Sequence, residues 1–239
     1  MIRPTRCAPS TAPCVCDNRA MEKFELRRDR FELFNNMDSP ALNITFTLDL
    51  PDFRSWCKAH TLPPFHVMLY AVLRAIKKIE NFRYRILDGE VILIDQLTPS
   101  FTVKNQNNDL NFAQFDWTDD LREFAAHGRA AREEASNMLE LNQKYRTMTP
   151  RAAKEQIFIT CIPWLDFTSI QHPTASLASP DIPSLAWGRF RDAPDGRMQL
   201  PFSVQAHHGF VDGFHIHQLA QQIEAELTAL MSPTPGVAR

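Results

Sequence analysis

The stretch Leu200–His215 (LPFSVQAHHGFVDGFH) constrains the fold of this 239-residue chain more than any other segment. By the two-residue period of a strand, Leu200, Phe202, Val204, Ala206 and His208 share one face, and Pro201, Ser203, Gln205 and His207 the other. Gly209 then lets the backbone turn, and Asp212-Gly213 opens a helix with Asp212 as its cap. From about Asp212 to Met231, Ile216, Leu219, Ala220, Ile223, Leu227 and Leu230 form one apolar stripe. A strand with one apolar face that runs into a helix with one apolar stripe calls for a sheet covered by helices.

The preceding sequence supplies the partners. Leu42–Leu50 alternates apolar and polar residues and reads as a half-buried strand. Pro51 and Asp52 open a helix to about His60. A second helix, Pro64 to about Ile79, carries Val67, Leu69, Tyr70, Leu73 and Ile76 at helical spacing, with its proline where the missing N–H costs nothing. Arg83–Leu87, Val91–Asp95 and Ser100–Lys104 read as strands, the first two joined by the hairpin signal Asp88-Gly89. Asn105–Asp109 is a polar turn and Leu110–Asp116 a strand. Thr118 or Asp119 caps a long helix to about Tyr145. Gln156–Ile162, Leu185–Phe190 and Met198–His208 complete the strands. The expected fold is α+β in two layers, a mixed or antiparallel sheet packed with helices, forming one domain over residues 21–231. Residues 1–20 show no periodicity and read as a disordered extension or as sequence ahead of a true start at Met21; residues 232–239 read as a short tail.

The net charge of -2 gives no footing for a nucleic-acid or membrane-surface partner. No apolar run reaches the ~18 residues of a membrane-spanning helix. The five cysteines, Cys7, Cys14, Cys16, Cys57 and Cys161, form no disulfide framework, which points to a reducing, cytoplasmic setting. No metal site is expected. The Cys14-x-Cys16 pair has no second pair nearby, His207 and His208 point to opposite strand faces, and His215 and His217 do not share a helix face.

The chemistry concentrates at His208. Imidazole is the side chain best suited to take a proton at neutral pH, and a strand end beside few other ionisable groups suits a general base. A lone histidine there is more often a buried structural residue, so the surrounding pattern has to separate the two. That pattern, His207-His208-Gly209-Phe210-Val211-Asp212-Gly213, resembles the hallmark of the CoA-dependent acyltransferase superfamily, and the longer string resembles the chloramphenicol acetyltransferases. The segment Leu26–Glu32 (LRRDRFE) resembles that family's N-terminal motif, and Ile159–Trp164 (ITCIPW) a third motif, with Thr160 in place of a serine. Pro64–Tyr70, Phe82–Glu90 and Leu97–Val103 resemble further family segments.

The resemblance implies direct transfer of an acetyl group from acetyl-CoA, a co-substrate, to a hydroxyl of a small acceptor, with no permanently bound cofactor. His208 would be the general base, Thr160 the oxyanion donor, and Asp212 and Arg27 a structural ion pair. Cys161 adjoins Thr160 on a strand and points to the opposite face, which disfavours a covalent route. Trp164, Arg189 and Phe190 would meet CoA. The acceptor pocket would include Phe34, Asp38, Lys104, His172 and Ala186. Here Phe34 lacks a phenol, Lys104 stands for an aromatic, Asp38 and His172 for aliphatic residues, and Ala186 for a threonine. Charged groups in a pocket are costly unless paired, so these changes favour a more polar acceptor. The resemblance further implies a homotrimer with active sites at subunit interfaces. Competing readings are a same-fold acetyltransferase for another acceptor and an inactive small-molecule binding protein. The acyltransferase cores of 2-oxo acid dehydrogenase complexes share the His-x-x-x-Asp-Gly element but carry lipoyl domains and linkers not seen here. Condensation domains of peptide synthetases fuse two such lobes.

Overall fold

The computed structural model describes residues 21–173 and 181–232; the extension 1–20 and the tail beyond Ser232 lie outside the described residues. In chain order the elements are α1 (Arg28–Asn35), β1 (Ala41–Leu50), α2 (Phe53–His60), α3 (Pro64–Lys77), β2 (Tyr84–Leu87), β3 (Glu90–Leu93), β4 (Thr98–Lys104), β5 (Leu110–Gln114), α4 (Leu121–Asn137), α5 (Pro150–Lys154), β6 (Gln156–Cys161), β7 (Ser184–Trp187), β8 (Arg191–Asp192), β9 (Met198–His207) and α6 (Gly213–Met231). The main sheet runs β1-β9-β7-β6-β4-β5, with β8 also paired to β9. The β4–β6 and β6–β7 pairs are parallel and the others antiparallel, so the sheet is mixed and backed by helices. β2 and β3 form a separate hairpin whose turn residues, Asp88 and Gly89, both take positive φ (52° and 84°), as a tight two-residue hairpin turn requires.

One face of the sheet is apolar. Phe101, Ile157, Ile159, Leu185, Trp187, Phe202 and Val204 project from it into a single core with α3, α4 and α6. Helix α3 is buried almost all round, from His66 to Ile76 except Arg74, because α4 and α6 flank it while the sheet lies beneath. Each such Leu, Val or Ile contributes about 1.5–3 kcal/mol relative to exposure. The other face is polar. Thr45 donates to Ser203, Ser203 to Asn43, and Asn43 to Gln205, at 3.0, 3.1 and 3.0 Å.

Four sequence expectations shift. Helix α4 stops at Asn137 rather than near Tyr145, and its cap is Asp120, which accepts from Glu123 N, rather than Thr118 or Asp119. The stop comes from Asn111 on β5, fully buried, whose amide donates to Ala135 O, Met138 O and Glu140 O and draws the chain back to the sheet. β7 ends at Trp187 rather than Phe190, since Arg189 N turns to Leu165 O. β9 ends at His207, one residue before His208. Helix α1, rich in charge with only Phe31 buried, has no apolar period to announce it.

Helices α3 and α4 meet at Gly128. A Cβ there would lie 2.3 Å from Cδ2 of His66, a ring 2% exposed and wedged against Phe65 and Phe101. Alanine gains roughly 1 kcal/mol of helix propensity, but overpacking so rigid a contact costs about 1–3 kcal/mol. Gly128→Ala is therefore expected to lower the urea midpoint; an equal or higher midpoint would show that the two helices separate freely.

Candidate active site

The end of β9 is held by two histidines with different jobs. His207 is 1% exposed and packs on Phe31 and Phe210, with ring centroids 5.6 and 4.9 Å away. Its Nδ1 accepts from Gly209 N at 3.0 Å, and burial pushes its pKa down to about 4, so it stays neutral. Its carbonyl accepts from both Phe210 N and Val211 N, which ends the strand in a tight turn. Gly209 is needed there, since a Cβ would lie 2.9 Å from the His207 ring and from Phe31 Cα.

That turn lifts His208 off the sheet. The strand alternation placed His207 on the face of Ser203 and Gln205, which the register keeps, and His208 on the apolar face; instead His208 is half-buried beyond the strand. His208 Nδ1 lies 3.1 Å from Val211 O, and its ring stacks on Phe34 at 3.9 Å between centroids. The carbonyl takes the Nδ1 proton as its donor partner, which leaves Nε2 with the lone pair. His208 N donates to Pro40 O at 2.7 Å.

Arg27 ties this turn to the N-terminal segment. It donates to Gly209 O (2.8 Å) and His208 O (3.3 Å), and pairs with Asp212 at 3.0 Å. Asp212 also caps α6 by accepting from Phe214 N and His215 N, while its own N–H donates to His215 Nδ1. Burial opposes ionisation of Asp212, but His215 and Arg27 outweigh it and hold the carboxyl below its usual range. His207, His208 and His215 thus serve three separate tasks, and among the described residues no cluster suited to a metal occurs.

Thr160 sits elsewhere. β4 pairs with β6 only from Thr98–Gln156 to Phe101–Ile159. Beyond that, β4 stays with β5 as far as Lys104–Leu110, and β6 stays with β7 as far as Cys161–Trp187. The sheet therefore opens between Thr102 and Thr160, and a cavity of about 870 Å³ fills the opening. Phe65, Phe101, Cys161 and Trp187 line it from the helix side; Thr102, Lys104, Phe158, Thr160 and His172 line it from the polar side, and Trp164 and Phe190 complete the wall. Burial pushes the Cys161 thiol up to about 11, which leaves it a poor nucleophile.

The residues singled out from sequence fall into two groups. Thr160, Trp164, Phe190, Lys104 and His172 share the cavity. His208, Arg27, Asp212 and Phe34 cluster at the β9 turn, with Asp38 exposed just after α1. Ala186 is fully buried between Thr160 and Ser203, and Arg189 is exposed, its guanidinium bonded to Trp164 O; neither lines the cavity. The groups lie far apart in one chain. Thr160 is level with Ala186 and Ser203, and His208 follows beyond the strand, so roughly 17 Å along the sheet and about 10 Å across separate them. Sequence reading missed Phe158, Thr102 and Arg132 as cavity residues. Phe158 had a signal, an aromatic out of phase with Ile157 and Ile159.

A family model described as Chloramphenicol acetyltransferase matches residues 20–224. The chain belongs to that family. Chloramphenicol acetyltransferase 3 of Escherichia coli is 24% identical over 83% of this chain and 91% of its own length. Chloramphenicol acetyltransferase 2 of Haemophilus influenzae is 28% identical over 79% and 86%. A solved chloramphenicol acetyltransferase structure matches with a TM-score of 0.75 at 28% identity, covering 84% of this chain and 94% of that one. Among the described residues no helix is long and apolar enough to cross a membrane.

Arg27→Met keeps the stem and removes the donors. It is expected to destabilise the fold by about 2 kcal/mol, the order for a part-buried charge left unpaired. A denaturant midpoint unchanged from wild type would show that the turn holds without Arg27.

Proposed function

We propose that the protein transfers an acetyl group from acetyl-CoA to a hydroxyl of a chloramphenicol-like acceptor. The observation that carries this is the fixed His208 ring, anchored through Nδ1 and Phe34 with no hydrogen bond to Nε2 among the described residues, in a chain that belongs to this family. Nε2 takes the acceptor's hydroxyl proton as that oxygen attacks the thioester carbonyl, and the same proton later goes to the leaving thiolate. The Thr160 hydroxyl donates to the oxyanion of the tetrahedral intermediate. Arg27 and Asp212 hold the turn that aims the ring. No acyl-enzyme is needed, and no resident cofactor.

CoA lies along the helix-side wall, with Trp164 and Phe190 against its adenosine and Arg189 toward a phosphate. Lys104 and His172 line the acceptor end, and Ala186 backs Thr160. Because Thr160 and His208 of one chain stand too far apart to act on one molecule, the base comes from a second copy, in a homotrimer with active sites between subunits. Phe34 and Asp38 arrive with that copy's His208. The free thiols of Cys57 and Cys161 suit a reducing, cytoplasmic setting.

Thiol release from acetyl-CoA in the presence of chloramphenicol tests this reading. His208→Ala is expected to lower turnover by about 10²–10⁴ while the melting temperature holds. Thr160→Ser should retain turnover and Thr160→Val should lose about 10²-fold. Turnover that survives His208→Ala, or a Thr160→Val enzyme equal to wild type, would remove the respective residue from the mechanism.

A further inference from the structure

We infer that the acceptor carries an anionic group, bound by Lys104 next to the reacting hydroxyl. This rests on the acetyltransferase reading and specifies its substrate class.

Ser100 and Phe158 are in register across β4 and β6, so Lys104 and Thr160 follow on the same, polar face by two-residue steps. Lys104 Nζ lies 5.7 Å from the centroid of the Trp164 ring, and among the described residues that line the cavity with it there is no carboxylate to pair with it. His172 adds a second polar group to the same half. Gln205 clamps its backbone from both sides, accepting from His172 N at 3.0 Å and donating to His172 O at 3.1 Å. Its ring Nε2 is covered and has no partner among the described residues. Burial keeps that ring neutral, so one nitrogen can donate. The other cation on the cavity wall, Arg132, comes from α4 on the helix side, where the CoA phosphates would lie.

The acceptor half thus presents an ammonium against aromatic walls, with a neutral, covered imidazole nitrogen behind it and, among the described residues, no carboxylate on the cavity wall. Lys104 is exposed in the single chain, so an acceptor seated against it removes water from the ammonium; a neutral acceptor returns no partner, whereas an anion restores one. Asp38 of the second copy is the rival partner, since it is exposed and enters with His208. An ion pair between copies would neutralise Lys104 before any acceptor arrives.

The test uses chloramphenicol and two analogues, one with the nitro group replaced by the isosteric carboxylate, the other with a carboxylate in place of the dichloromethyl group. Rates are measured for wild type and Lys104→Met, with acetyl-CoA and with acetyl-pantetheine. Calorimetric titration reads binding independently of turnover. At least one anionic analogue is expected to show a tenfold or greater advantage over chloramphenicol in kcat/KM and in binding. Lys104→Met should depress that analogue at least ten times more than chloramphenicol. Equal losses on all three acceptors would overturn the inference. So would a defect confined to the KM for acetyl-CoA that vanishes with acetyl-pantetheine, or loss of oligomer reproduced by Asp38→Asn. Turnover without charge preference defeats this inference alone; tight binding with no thiol release from any acceptor defeats the acetyltransferase reading instead.

Discussion

The guanidinium of Arg27 closes the turn that carries His208. Its three donor groups reach Gly209 O, His208 O and Asp212, gathering backbone and side chain from the start of α6 onto the N-terminal segment. Around that centre the local structure is over-determined: His207 is locked in an aromatic cluster, Gly209 permits close approach of Phe31, and Asp212 caps the last helix. The His208 ring is held through Val211 and Phe34 and has little rotational freedom left. In the proposed reaction a ring held this way would need no reorganisation at the moment of proton transfer.

A second constraint is the parting of β4 from β6. The sheet loses its backbone pairing where Thr160 and Thr102 stand, and the resulting gap joins the helix-side wall to the polar face in one cavity. Two substrates that must meet from different directions suit such an opening. His208 and the opening belong to different ends of the same sheet, so in the proposed reaction one chain would supply two half-sites that do not complete each other. A second copy can complete them, and symmetry then repeats the arrangement.

Much of this was legible in the sequence where periodicity is strong. The β9–α6 segment, α3 and the Asp88-Gly89 hairpin follow directly from alternation, helical spacing and turn chemistry. The errors occur where one side chain overrides a local pattern. Asn111 ends α4 eight residues before the pattern does, and the two hydrogen bonds that His207 O accepts from Phe210 N and Val211 N take His208 out of the strand alternation. Helix α1 shows only charge because it buries a single residue. The residues proposed for chemistry were found by motif, but their separation was not, since it depends on strand order and register summed across three strands.

The sharing of each site between copies is the central claim, and subunit complementation tests it most directly. His208→Ala and Thr160→Val chains, each inactive alone, are unfolded together, refolded as a mixture and assayed for chloramphenicol-dependent thiol release. Random assortment pairs an intact His208 with an intact Thr160 at about a quarter of the interfaces, so the mixture should regain roughly that share of wild-type turnover. A mixture that assembles fully and stays as inactive as its parents would mean that base and hydroxyl act within one chain, and would contradict the account.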